Sequence, residues 1–116
     1  MRKVWVIGGL TGIGKALCDL IIHNCDYQVT PTGEEVDVRV KIQLIKFLEV
    51  NGPFDITVYC AGIKHLGNIT DLSSAYLVDE FYVNAIGFIN TMGALASSQN
   101  SGKVVCVVST AAVIPM

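Results

Sequence analysis

The run Gly8-Gly9-Leu10-Thr11-Gly12-Ile13-Gly14 follows the apolar residues Val4-Trp5-Val6-Ile7 and opens a stretch with helical apolar spacing. Strand, glycine turn and helix start therefore fall within the first fourteen residues, an order that commits the chain to a strand-helix-strand beginning. Gly8 permits the tight exit from the strand, Gly12 lets backbone approach a ligand, and Gly14 lets the helix pack closely on the sheet. The free N–H groups at such a helix start suit the phosphates of a dinucleotide.

At 116 residues the chain is read as one domain, 1–116, large enough for a core but too small for separate nucleotide and substrate domains. Hydrophobic residues make up 52% of it and charged residues 16%, which leads us to expect apolar surface in a subunit interface and hence a homo-oligomer. The apolar stretches are interrupted well before the roughly 20 residues of a membrane span, and no cleavable signal pattern precedes the first strand. A cytoplasmic protein without membrane contact is expected. A net charge of −2 gives no basic footprint for nucleic acid. Cys18, Cys25, Cys60 and Cys106 form no C-x-x-C pair and are expected as small buried residues, with neither metal site nor disulfide.

Along the chain, Lys3 to Gly8 reads as a buried strand and Gly12 to about Asn24 as a helix on Ile13, Ala16, Leu17, Leu20 and Ile21. A second strand fits Tyr27 to Thr30, punctuated by Pro31 and Gly33, and Glu35 to Val38 reads as a short third strand. A helix from about Val40 to Val50 stops at Asn51-Gly52-Pro53, and Phe54 to Tyr59 is the next strand. After a polar loop around Gly67-Asn68, a long helix begins between Asp71 and Ser74 and runs to about Ser97. Val104 to Val108 is the last strand, ending at Ser109-Thr110. This alternation implies an α/β fold, a Rossmann-like doubly wound parallel sheet of about five strands in three α/β/α layers. Trp5 is expected as packing, and Tyr76, Phe81, Tyr82 and Phe88 as core or interface.

Four features in order resemble the short-chain dehydrogenase/reductase family across essentially the whole chain. They are Gly8, Gly12 and Gly14 in G-x-x-x-G-x-G, with Ile7 where the family usually has Thr; Asp37-Val38; Tyr59-Cys60-Ala61-Gly62-Ile63, which keeps only Ala-Gly of an Asn-Asn-Ala-Gly segment; and Val83-Asn84-Ala85-Ile86-Gly87 in the long helix, followed by Gly102 and a strand ending at Ser109. The resemblance implies that Gly8, Leu10, Gly12, Ile13 and Gly14 hold the pyrophosphate of NAD or NADP. It further implies Asp37 and Val38 at the adenine, Ala61 and Gly62 on the ribose side, and Asn84 and Ser109 at the catalytic positions, Ser109 polarising the substrate oxygen. From the residues alone, an Asn inside a helix has poor propensity and suits holding water or backbone. Lys64 and His65 are expected as solvated loop residues.

The same pattern places Thr32 where NAD-dependent members carry an Asp on the ribose hydroxyls. Without that carboxylate a 2′-phosphate is not repelled, which favours NADP. Thr11, however, lacks a basic charge, and Glu34 and Glu35 lie close by, so NAD stays open. The family's proton-donating Tyr with a Lys four residues later is absent: Tyr27, Tyr59, Tyr76 and Tyr82 are followed at that spacing by Pro31, Ile63, Glu80 and Ile86. The chain is thus expected to hold the cofactor half of the fold, lacking the C-terminal part. Its function is expected to be that of an NAD(P)-binding oxidoreductase on a carbonyl or secondary alcohol, incomplete or inactive as this chain. A non-catalytic nucleotide-binding or assembly module is the alternative.

Overall fold

The computed structural model describes residues 1–63, 70 and 73–108. Its strands are β1 (Arg2–Ile7), β2 (Tyr27–Thr32), β3 (Ile56–Tyr59) and β4 (Lys103–Cys106), all parallel, in the order β2-β1-β3-β4. The helices are α1 (Gly12–Ile21), α2 (Lys41–Asn51), α3 (Ser74–Phe81) and α4 (Gly87–Ser98), with a π-helical turn, Tyr82–Ile86, joining the last two. β1 alternates its side chains between two cores, as a central strand covered on both faces must. Val4 and Val6 pack with Cys18 of α1 and Val58 of β3, while Trp5 and Ile7 pack with Leu44 and Leu48 of α2, Tyr59, and Ala94 and Leu95 of α4. The layers are therefore α1, sheet, and α2 with α4. This is the expected three-layer Rossmann-like architecture.

Trp5 is fully buried, its ring stacked 5.5 Å from that of Phe54 and tilted 4.9 Å from that of Phe47. Its indole N–H needs an acceptor in that core, and Thr32 Oγ1 supplies one at 3.0 Å. At the lower end of the sheet, Gln99 ties the end of α4 to the approach to β3: Phe54 N donates to Gln99 Oε1 and Gln99 Nε2 donates to Phe54 O.

Several boundaries differ from the sequence reading, each for a physical reason. β2 runs through Pro31 to Thr32 because it is an edge strand among the described residues, where a missing N–H costs no ladder bond. The strand expected at Glu35–Val38 does not form, leaving four strands among the described residues where five were expected. Its backbone closes into local turns, Val36 N to Gly33 O and Val40 N to Asp37 O, and Val38 is buried against α2 and α4. The long helix is three pieces, opened by Ser73 Oγ accepting from Tyr76 N at 3.3 Å. Of the cysteines, Cys18 is buried and Cys60 half-buried, but Cys25 and Cys106 are exposed, correcting the expectation of four buried thiols.

Candidate functional site

Parallel pairing brings the carboxyl ends of the strands into one row: Ile7 faces Thr32 on one side and Tyr59 on the other, and Tyr59 faces Cys106. The chain leaves β1 towards β2 and leaves β3 towards β4, so the order reverses between β1 and β3. Open parallel sheets bind ligands at that switch point. The Gly8–Thr11 turn and the Cys60–Ile63 segment meet there.

The glycines divide by what surrounds them. Gly8 has φ +79°, and a Cβ on it would lie 2.7 Å from Ala61 N and 2.9 Å from the Cys60 carbonyl carbon. A Cβ on Gly14 would collide with the Gly8 carbonyl. These two let the turn, α1 and β3 close on one another. Gly12, at φ +56°, is different: a Cβ there would meet nothing within 4 Å. Its open side lies at the start of α1, where Thr11 makes no side-chain cap and no acidic residue stands in the first turn. Uncapped N–H groups, a bare backbone and the positive end of the helix dipole fit a dinucleotide pyrophosphate. Leu10 and Ile13 flank this opening and are exposed.

Beyond β2, Gly33 is crowded from two sides. A Cβ on it would lie 2.7 Å from Leu10 Cδ1 and 3.1 Å from Glu35 Oε2, and Gly33 N donates to Glu35 Oε1 at 2.9 Å. A carboxylate thus stands beside the glycine turn. Thr32 does not: its side chain is buried and its Oγ1 accepts from Trp5 Nε1. Its carbonyl instead accepts from Gly8 N at 2.9 Å and Gly9 N at 3.0 Å, shaping the turn. Val38 is a core residue whose carbonyl accepts from Asn90 Nδ2 at 3.0 Å. Asp37 is half-buried and paired with Arg39, whose guanidinium holds the carboxyl below its ordinary range.

Asn84 lies in the π-helical turn and clasps the segment after β3: Ile63 N donates to its Oδ1 and its Nδ2 donates to Ile63 O, each at 2.8 Å. This is the backbone-holding role that its place in a helix suggested. Gly62 sits just below, 3.4 Å from Asn84 Oδ1 to an added Cβ. A π-helical turn adds a residue to one helical turn and recurs at functional sites. Sequence reasoning missed a second clamp, Tyr59. Its buried hydroxyl donates to Val83 O at 2.5 Å, and its ring meets Phe88 edge-on at 5.5 Å. Burial, with Cys106 nearby, pushes the Tyr59 phenol above its ordinary range, and burial likewise raises the Cys60 thiol. Ser109, Lys64 and His65 lie outside the described residues, as do Asp71 and Gly67-Asn68. Among the described residues no three metal-ligating side chains cluster, and no helix is long and apolar enough to cross a membrane.

A doubly wound parallel sheet with a glycine cradle at its switch point defines the dinucleotide-binding class of α/β proteins. The chain belongs to the short chain dehydrogenase family, whose model matches residues 33–116. Among solved structures it is similar to a short chain dehydrogenase family protein from Francisella tularensis subsp. tularensis SCHU S4, with 22% identity, a TM-score of 0.82, and 100% of this chain and 54% of that one covered. A small-chain dehydrogenase in complex with NADPH is similar at 18% identity and a TM-score of 0.83, over 94% of this chain and 51% of that one. Serine dehydrogenase from Escherichia coli is similar at 17% identity and a TM-score of 0.81, over 98% and 65% respectively. The chain thus spans between 51% and 65% of the length of these structures. A comparison with curated protein sequences gave no match.

Proposed function

We propose that this chain binds a nicotinamide dinucleotide and supplies the cofactor half of an oxidoreductase acting on a carbonyl or secondary alcohol. The observation that carries this reading is the open side of Gly12 at the uncapped start of α1, between Gly8 and Gly14 whose backbones are closely packed. Gly8, Leu10, Gly12, Ile13 and Gly14 surround the pyrophosphate, Asp37 meets the adenine, and Ala61 and Gly62 line the ribose side. When bound, the nicotinamide gives or takes the hydride. Asn84 keeps the segment after β3 in place, and Ser109 polarises the substrate oxygen. No Tyr-x-x-x-Lys is present in the sequence to pass the proton. Binding without turnover is therefore the expected behaviour of these 116 residues.

The choice of dinucleotide hangs on Glu35. With Thr32 buried, the Glu35 carboxylate beside Gly33 and Leu10 is placed to accept from ribose hydroxyls and to repel a 2′-phosphate, which moves the preference from NADP to NAD. Self-association is assigned to the face of α3 and the π-helical turn, where Leu77, Val78 and Phe81, then Tyr82 and Ile86, line an open apolar groove. A second copy of the same helix is the proposed occupant, since a two-fold axis lets one apolar patch cover its twin.

Ketones and aldehydes offered with NADH or NADPH test the catalytic half of this reading. We expect binding of NADH in preference to NADPH, a preference lost in Glu35→Gln, and no substrate reduction. Robust reduction that disappears in Ser109→Ala would contradict the expected lack of turnover.

A further inference from the structure

The grip on Asp37 has a feature that packing does not require. Oδ1 accepts from Arg39 N at 2.9 Å and from Arg39 Nε at 3.0 Å, and Oδ2 accepts from Arg39 Nη2 at 2.9 Å. An ionised carboxylate has about four acceptor positions, two on each oxygen. Arg39 fills both on Oδ1 and one on Oδ2, leaving a single open position on a side chain that keeps partial exposure.

Both partners are themselves held. Asp37 N donates to Gln43 Oε1 of α2 at 3.0 Å, and Asp37 O accepts from Val40 N at 3.0 Å. The free arm of Arg39, Nη1, reaches Asp79 Oδ1 of α3 at 2.8 Å. A surface ion pair contributes little to stability, but a two-pronged guanidinium grip fixes orientation in a way that an ammonium does not.

We infer that Arg39 is a positioning residue: it turns the Asp37 carboxylate so that its one open acceptor on Oδ2 takes a single N–H, the 6-amino group of adenine, and repels a 6-oxo purine. The inference rests on the proposed dinucleotide reading with Asp37 at the adenine. A 6-oxo group would set oxygen against oxygen with no proton between them. Asp79, through Nη1, extends the positioning to α3.

The test compares NADH with its hypoxanthine counterpart, titrated calorimetrically into the protein and into Arg39→Met, Arg39→Lys and Asp79→Asn, with circular dichroism confirming the fold of each. The unaltered protein is expected to bind the adenine form about tenfold more tightly, the loss of one charge-assisted hydrogen bond. Arg39→Met is expected to bring the ratio to within about threefold, Arg39→Lys not to restore it, and Asp79→Asn to give an intermediate ratio. A general loosening would weaken both ligands equally and leave the ratio unchanged. Should Arg39→Met not fold, Arg39→Lys carries the test alone: a lowered ratio supports the inference and a full one overturns it. Equal binding by the unaltered protein, or a tenfold ratio that survives in the Arg39 variants, overturns the positioning role while the dinucleotide reading stands. If folded protein binds neither ligand, the dinucleotide reading falls and takes this inference with it.

Discussion

The centre of the sheet and its β4 margin are packed to different degrees. β1 is paired on both sides, and Val4, Trp5, Val6 and Ile7 are each 2% exposed or less. β4 pairs with β3 alone among the described residues, with Val105 49% exposed and Val108 82%. The glycine cradle follows β1 and packs on the segment after β3, which Asn84 clasps while Tyr59 ties the end of β3 to the π-helical turn, whereas Ser109 follows β4 in the sequence. Burial at the centre therefore holds the glycine turn in place, and β4 adds the partly buried Val104 to that core. The proposed pyrophosphate site thus rests on the buried centre, while the two proposed catalytic positions are split, Asn84 clasping the segment after β3 and Ser109 after β4 in the sequence.

Matched substitutions at the two places give the largest expected effect. Val6→Asp sets an unpaired carboxylate between α1 and the sheet and is expected to cost about 4 kcal/mol or more, whereas Val105→Asp is expected to cost less than about 1 kcal/mol. Urea denaturation of both measures the difference. Equal losses would mean that the β4 margin is packed as tightly as the centre.

A smaller effect is expected where β2 meets the centre. Thr32→Val keeps the shape of the side chain but leaves the buried Trp5 N–H without its acceptor, a loss of about 1–3 kcal/mol. Dinucleotide affinity measured in the same variant, at a temperature where it is folded, should stay within about twofold, because the side chain is buried on Trp5 and the carbonyl that shapes the glycine turn remains. A large fall in affinity with little loss of stability would return Thr32 to the binding site.

What the sequence made legible follows the same division. The glycine pattern, the helix-strand alternation and the two-faced burial of β1 are local or periodic signals, and they located the cradle and the three layers. The burial of Thr32 was hidden because its environment is set across strands: the partner it serves is Trp5 on β1, and no periodicity within β2 reveals that pairing. Val36 and Val38 alternate as in a strand, yet the core between α2 and α4 takes Val38 while turns use the backbone. The π-helical turn was hidden because one extra residue in a helical turn leaves the apolar spacing almost unchanged. Asn84 and Gly87 inside an apolar helix were its only marks. A Cβ on Gly87 would lie 2.5 Å from the Tyr59 hydroxyl and 2.7 Å from Val38 Cγ2, so the helix closes there only on glycine. Arg39 was missed because its two carboxylates are 2 and 40 residues away.

The smallest expected effect belongs to the loop that joins β2 to α2. Arg39 lowers the pKa of Asp37 in the folded protein, so the pair stabilises the fold above the ordinary carboxylate pKa, and this contribution fades as pH falls through the lowered value. Between about pH 5 and pH 2 the unaltered protein should lose slightly more stability than Asp37→Asn, read from thermal melts across that range. Identical pH profiles would show that the pair is too well solvated to matter for stability.

The central claim is that Gly12 leaves room for a dinucleotide that Gly8 and Gly14 frame. Calorimetric titration of NADH into the protein and into Gly12→Val, both shown by circular dichroism to be folded, tests it most directly. Gly12 has a positive φ and an open side, so Val is expected to cost backbone strain of about 1–2 kcal/mol without a steric clash in the free protein. The expected result is saturable binding of one NADH per chain to the protein and none to the variant. Absence of binding to the folded protein at millimolar NADH and NADPH, or equal binding by Gly12→Val, would contradict the claim.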